Sequence, residues 1–502
     1  VDVDTGSYTL ARAKLLSGAL PAPDAVRVEE FLNYFRWSYP QPPEGAALGV
    51  HMDAAPSPFS PGKHLLRVGV QGRKLDVNQR KTAHLTFLVD VSGSMQSADK
   101  LPLAKRALRM LVDSLRDGDT VALVTYASGS RVVLSPTGME KKAEIHAALE
   151  ALRAGGSTAM AGGIGLAYAQ AEKTLSEGSE SRVIILSDGD ANVGATSPEE
   201  ILKLIAGKVK EGVTCTTVGF GMGNYQDSTM EQFANKGNGN HYYVDSLFEA
   251  RRIFQQQLGG TLEIIAKDVK LQVDFDPQQV AAYRLVGYEN RDIADQDFRN
   301  DKVDAGEINA GHQVTALYEI ERTSQASEKP LATVRLRWKA PRVAGQTSES
   351  EGASEQATEI AQPVLASQAT GFEGAGIGYR RAVIAAQFAE FLRRSVHARN
   401  DSFDELIAEA QKLEREAPDA ELSELVRLIV RSKDLVLASA PACDDLCQSI
   451  DMLRRSEMLR AEYDALKVER DAKLLEDLER QNRDLEEKIR ALLRKKLEQS
   501  GR

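Results

Sequence analysis

Three cysteines in 502 residues are too few for a disulfide framework. Seven scattered histidines supply no histidine-rich metal or acid–base centre. Aromatic residues make up 6% of the chain, which argues against a base-stacking surface for single-stranded nucleic acid. Lys and Arg total 63 against 73 Asp and Glu, a net charge of -10, and that balance disfavours a phosphate-backbone binder. No apolar run approaches the ~20 residues that span a bilayer. No signal peptide is recognisable. The sequence opens on Val1 rather than Met and so reads as processed or trimmed, which leaves room for a removed leader.

What is present suits globular domains. At roughly 150 residues per domain the length predicts about three, and 42% hydrophobic residues can fill them. Residues 1–46 read as mixed and helical, with apolar residues at helical spacing over Leu10 to Leu20 and Val28 to Phe35. Residues 47–81 read as a β segment that pairs with a later β module. Over residues 82–260, near-continuous apolar strands such as HLTFLVD, TVALVTYA, RVIILSD and VTCTTVGF alternate with amphipathic helices. That pattern predicts an α/β domain with a mostly parallel sheet covered on both faces. Residues 261–342 switch to short-period alternation (DVKLQVDFD, QVTALYEIE, TVRLRWK) and read as an antiparallel, sandwich-like module. The α/β domain is thus expected to be inserted in, or flanked by, that module. Residues 343–370 are a Ser/Glu/Gly-rich linker with one edge strand at TEIAQPVL, whose Pro363 suits an edge. Residues 371–440 are helical.

The charged tail, 441–502, carries Leu475, Leu478, Asn482, Leu485, Ile489 and Leu492 at heptad spacing. Leu459, Tyr463 and Leu466 keep a similar spacing upstream, and the register breaks near Arg470 and Lys473. The seam serves homo-oligomerisation, an intramolecular hairpin or a partner coiled coil. Cys215, within GVTCTTVGF, reads as a small buried hydrophobe. Cys443 and Cys447, spaced i, i+4, are free thiols or, where the loop is not helical, a disulfide.

The chemistry concentrates at the carboxyl ends of the predicted parallel strands, where open α/β sheets bind ligands. HLTFLVD runs straight into Asp90-Val91-Ser92-Gly93-Ser94; Gly155-Gly156-Ser157-Thr158 precedes a helix; Ser187-Asp188-Gly189 ends the most apolar strand. Each string alone is weak, since Ser and Asp at strand ends also serve as helix caps and turn residues. Together the three strings offer carboxylates and hydroxyls, the hard oxygens that Mg²⁺ prefers.

Other readings of nearby residues are weaker. Asp188, Asp190, Asn192 and Glu199 partly match a calcium loop, but the glycine is displaced to Gly194. Gly219-Phe220-Gly221-Met222-Gly223 lacks dinucleotide spacing and reads as a loop shaped around the metal face. DVSGSM is not a nucleophile elbow, and His84 and His241 lie in strands as structural residues.

The three strings, in this order and placement across 82–258, resemble the von Willebrand factor type A domain, whose metal-ion-dependent adhesion site implies Asp90, Ser92, Ser94, Thr158 and Asp188 as ligands, with neutral hydroxyls leaving the ion electrophilic towards an acidic side chain of a partner. The flanks VDVDTGSYTLAR, PDAVRVEEFLNYF, GFGMGNYQDSTMEQFANKGNGN and VAAYRLVGYENR resemble a bacterial family with three parts. These are an N-terminal von Willebrand-associated region, the type A domain and a C-terminal domain of unknown function. Members are often labelled calcium-activated chloride channel-like, a label that is not evidence of conduction. The resemblance implies a doubly wound, Rossmann-like fold. It implies Mg²⁺, with Mn²⁺ or Ca²⁺ as substitutes, held by Asp90, Ser92, Ser94, Thr158 and Asp188. It implies a protein partner with an exposed Asp or Glu, binding rather than catalysis, and a cell-envelope location.

Overall fold

The computed structural model describes residues 1–439 apart from residue 2, residues 302 and 304, and the stretches 76–79, 190–196, 222–226, 258–262, 290–292, 325–328, 342–356, 366–370 and 399–400. The heptad tail, Cys443 and Cys447 lie outside the described residues, as does most of the calcium-loop candidate. The chain divides into two compact units, Val1–Ser432 and Lys433–Arg502. Among the described residues, every strand lies in the first unit.

Two helices, α1 (Gly6–Leu16) and α2 (Val28–Tyr34), lead into β1 (Leu48–Pro56) and β2 (Lys63–Gly72). The α/β domain runs β3 (Thr82–Asp90), α3 (Leu101–Ser114), β4 (Thr120–Tyr126), β5 (Ser130–Gly138), α4 (Lys142–Ala151), α5 (Met160–Ala171), β6 (Ser179–Ser187), α6 (Pro198–Lys210), β7 (Val213–Phe220), α7 (Asp227–Lys236), β8 (His241–Val244) and α8 (Leu247–Arg251). A wide π-turn over Arg252–Gln257 continues α8. There follow β9 (Ile264–Phe275), β10 (Val280–Val286), β11 (Ile308–Asn309), β12 (Gln313–Arg322), β13 (Ala332–Lys339) and β14 (Thr358–Val364). Three helices, α9 (Ile377–Leu392), α10 (Phe403–Glu416) and α11 (Ala420–Ser439), end the described part of the chain.

The six-stranded sheet has the order β5-β4-β3-β6-β7-β8. All its pairings are parallel except that of edge strand β5, which runs antiparallel to β4. Burial on both faces explains the continuous apolar strands. Leu85, Phe87 and Val89 pack with α3 and the end of α8 on one face. Leu88, Val124, Val183 and Ile185 pack with α5, α6 and α7 on the other.

The second module is two four-stranded antiparallel sheets, β1-β2-β12-β10 and β11-β9-β13-β14, sharing one core that includes Leu66, Val68, Val70, Val269, Leu336 and Trp338. β2 lies between β1 and β12, so strands that precede and follow the α/β domain share a sheet. Among the described residues β14, with Pro363, pairs only with β13 and forms the edge. Among the described residues, too, no helix is long and apolar enough to cross a membrane.

A buried charge cluster ties these parts together. Arg12 in α1 has 2% of its side chain exposed. Its Nε donates to Asp245 Oδ2 at 2.7 Å and its Nη2 to Asp245 Oδ1 at 2.6 Å. The same guanidinium reaches Glu249 at 3.0 Å, the Tyr34 hydroxyl at 2.6 Å and Glu424 of α11 at 3.1 Å. Arg252 donates to the other Glu249 oxygen at 2.9 Å and stacks 4.1 Å from the Tyr34 ring centroid. Burial pushes the Glu249 carboxyl up, but Arg252 and Arg12 outweigh it and hold it below the usual carboxylate range. Removing one member of such a cluster leaves buried charges unpaired. Arg12→Met is therefore expected to destabilise the protein by about 3–5 kcal/mol, read as a lowered midpoint of chemical denaturation. A midpoint within error of the wild type would show that the cluster does not hold the parts together.

Candidate metal centre at the strand ends

The sheet order places β3 and β6 side by side at its centre, with the chain continuing outward in opposite directions from them. Such a switch point leaves a crevice between the two carboxyl ends. Asp90 ends β3 and Asp188 directly follows β6. Both are buried, at 0% and 3% exposure, and Asp90 feels the Asp188 charge.

The loop after β3 is shaped by its own donors. The Ser92 backbone N–H donates to Asp90 Oδ1 at 2.8 Å, and the Ser92 and Ser94 hydroxyls lie 3.0 Å apart. Ser187, at the end of β6, brings its hydroxyl 3.5 Å from Asp90 Oδ2. Neither serine caps α3: its N-cap is Lys100, with no side-chain cap. Ser92 precedes the short 3₁₀ turn Gly93–Gln96, also without a side-chain cap bond. The capping explanation for this string therefore fails.

The second loop docks on the first through backbone. Gly155 N–H donates to the Val91 carbonyl at 2.8 Å, and Gly93 N–H to the Gly156 carbonyl at 2.9 Å. Gly156 has φ +88°, a left-handed conformation that glycine adopts without strain. Ser157 N–H donates to Ser128 Oγ at 3.0 Å. Thr158, half-buried, follows this clamp, two residues before α5. Asp90, Ser92, Ser94 and the loop bearing Thr158 thus meet in one small hydrogen-bonded network, and Asp188 joins it through a lysine.

That lysine was not legible in the sequence. Lys100 Nζ lies 2.8 Å from Asp188 Oδ2 and 3.0 Å from the Ser94 carbonyl. It links two of the three loops. Six residues beyond Ser94, at a helix boundary, it carries no local signal of that role. His84 and His241 are structural: their Nδ1 atoms meet Thr120 Oγ1 at 2.9 Å and Thr217 Oγ1 at 2.7 Å. Cys215 is fully buried, and burial pushes its thiol up to about 12. Gly219, Phe220 and Gly221 end β7 or follow it directly; Met222 and Gly223 lie outside the described residues.

The donor set fits a hard divalent cation on its chemistry. Every side-chain donor is oxygen, two are carboxylates, and an ammonium already lies against one of them. Burial pushes the Asp90 carboxyl up to about 6, and the Asp188 charge adds to the rise, against the hydrogen bonds from Ser92. A carboxylate that burial disfavours in this way is the environment that an added cation relieves. Among the described residues no three of His, Cys, Asp and Glu gather as a metal cluster.

Three family models match the chain along most of its length. Residues 1–67 match a model described as von Willebrand factor, 84–257 the von Willebrand factor type A domain, and 260–435 the C-terminal region of the uncharacterised protein YfbK. YfbK of Escherichia coli (strain K12) is 36% identical over 455 residues, covering 86% of this chain and 76% of YfbK. The chain belongs to the YfbK family of bacterial von Willebrand factor type A proteins. Beyond the family, the inter-alpha-trypsin inhibitor heavy chain H3 of Mesocricetus auratus is 25% identical over 266 residues, 47% of this chain and 28% of that protein. A solved von Willebrand factor type A protein from Catenulispora acidiphila aligns over 84% of this chain and 92% of its own, at 17% identity and a TM-score of 0.43.

The raised Asp90 carboxyl gives a pH test without metal. The folded protein keeps the Asp90 proton up to about 6, whereas an unfolded Asp releases it near 3.9. Between those values the folded state binds more protons. The Asp90 contribution to stability is therefore most favourable below the unfolded value and is lost as pH rises through about 6. In EDTA at about pH 8, Asp90→Asn should melt higher than wild type, and the gap should close as pH falls towards 4. Thermal melts of both proteins across that range measure it; a gap that does not change with pH refutes the buried-charge account.

Proposed function

We propose that this protein is a metal-dependent protein-binding module. Asp90, Ser92, Ser94, Thr158 and Asp188 would hold Mg²⁺, with Mn²⁺ or Ca²⁺ as substitutes. The observation that carries the reading is Asp90: a fully buried carboxylate, pushed up to about 6, facing a second buried carboxylate across the sheet's switch point. Bound there, the ion would supply an electrophilic position for an acidic side chain of the partner. The protein's own residues do the rest: the Ser92 N–H orients Asp90, and the Gly93–Gly156 bond sets the Thr158 loop against the Ser92 loop.

Membership of a type A domain family, in which metal-dependent protein interaction is common, supports binding over turnover. Envelope placement and self-association through the charged tail remain expectations of the sequence. A second reading has one observation in its favour. Because Lys100 already lies against Asp188, the site could serve stability alone, and metal would then raise the melting temperature without changing partner capture.

The deciding experiment pulls down partners from the native cell extract with wild type and Asp188→Ala, each with Mg²⁺ and with EDTA. The binding reading expects a captured protein that is lost both in EDTA and in the variant. Calorimetric titration with MgCl₂ accompanies it, and no heat of binding in wild type, or unchanged binding in Asp90→Ala, would refute the metal site.

A further inference from the structure

The Lys100 side chain is built into the strand-end crevice. Its ammonium contacts Asp188 Oδ2 at 2.8 Å and the Ser94 carbonyl at 3.0 Å, with side-chain exposures of 16% for Lys100 and 1% for Asp188. The aliphatic stem crosses the backbone directly over Gly221. A Cβ at that position would collide with Lys100 Cε and fall 2.7 Å from its Cγ. Gly221 has φ +77°, so glycine both permits the turn after β7 and leaves the channel through which the lysine reaches Asp188. The Tyr243 hydroxyl donates to the Gly221 carbonyl and pins that turn. Three strand ends, those of β3, β6 and β7, therefore converge on one lysine side chain.

We propose that Lys100 is a resident counter-ion that competes with the divalent metal for Asp188. It rests on the metal-binding reading above and adds a regulation to it. In the metal-free protein the ammonium neutralises Asp188 and holds the loops together. A divalent ion that draws on Asp188 must displace that ammonium or share the carboxylate with a like charge. Either route opposes binding, because hydrogen bonds to charged groups contribute more than neutral ones and like charges at close range repel. Lys100 thereby sets the metal concentration at which the site fills, without being a metal ligand.

Lys100→Met keeps most of the stem over Gly221 and removes the charge, so the test uses it in the intact chain. Titrated calorimetrically with MgCl₂, the variant should bind about tenfold tighter than wild type. In EDTA the same variant should melt lower, and combining it with Asp188→Asn should cost less than the two single losses added together. Equal or weaker Mg²⁺ affinity in Lys100→Met overturns the competition. Additive losses in EDTA overturn the counter-ion role. Failure of the metal-binding reading looks different: neither wild type nor Lys100→Met then binds Mg²⁺, while the coupling in EDTA persists.

Discussion

The burial of one guanidinium carries much of this architecture. Arg12 satisfies carboxylates from the end of the α/β domain and from α11, and it shares Tyr34 with Arg252. A charge taken so far from water is tolerable only when its hydrogen bonds are filled. Here the partners lie 233 and 412 residues away in sequence. The N-terminal helix therefore cannot detach without stranding Asp245 inside the protein and leaving Glu249 to Arg252. That constraint fixes α8, the last helix of the inserted domain, against the flanking segments. It also explains why a domain with its own two-faced sheet is held by more than its two covalent connections.

The same energetic logic runs in the opposite sense at the strand ends. At Arg12 two cations, Arg12 and Arg252, meet Asp245, Glu249 and the part-exposed Glu424, and Glu249 is held in its charged form. At the crevice two buried carboxylates share the neighbourhood of the Lys100 ammonium, which reaches Asp188, and Asp90 is pushed towards its neutral form. One cluster keeps its carboxylates ionised from within the chain. The other leaves Asp90 disfavoured as an anion.

Much of this was legible in the sequence where the signal is local. Continuous apolar strands between amphipathic helices marked the doubly wound domain, and the shift to short-period alternation after residue 261 marked the antiparallel module. Asp90, Ser92, Ser94, Thr158 and Asp188 stood out because strand ends and helix starts bracket them. What was not legible depends on partners chosen across the fold. Lys100 looks like any lysine at a helix boundary until Gly221 and Asp188 close around it. Arg12 looks like a solvated residue on an amphipathic helix, and only the packing of α1 on β8 and α11 turns it inward. The antiparallel direction of β5 follows from the tight Ala127–Gly129 turn, where Ala127 N–H donates to the Gly129 carbonyl at 3.0 Å, a short connection that a parallel crossover cannot use.

The insertion also places anchoring bonds at the start of the central strand. The flanking module meets the α/β domain at the amino-terminal end of β3, where Lys81 N–H donates to Glu263 at 3.0 Å and Arg80 donates to the buried Asp119 at 3.0 Å. The Asp119 carboxylate also accepts from Ala83 N–H at 2.9 Å, which fixes the start of the strand. Nine residues of β3, at about 3.3 Å each, carry the chain roughly 30 Å to Asp90. Edge strand β8 takes further contacts, with His241 N–H donating to Asp4 at 2.8 Å. The crevice between β3 and β6 lies at the other end of β3 from the Arg80 and Lys81 bonds, while Arg12 meets Asp245 just past the carboxyl end of edge strand β8. A rigid parallel strand therefore spans the distance between the end held by the scaffold and the end that carries the oxygen donors. The loops of the crevice take their positions from the strand ends they follow.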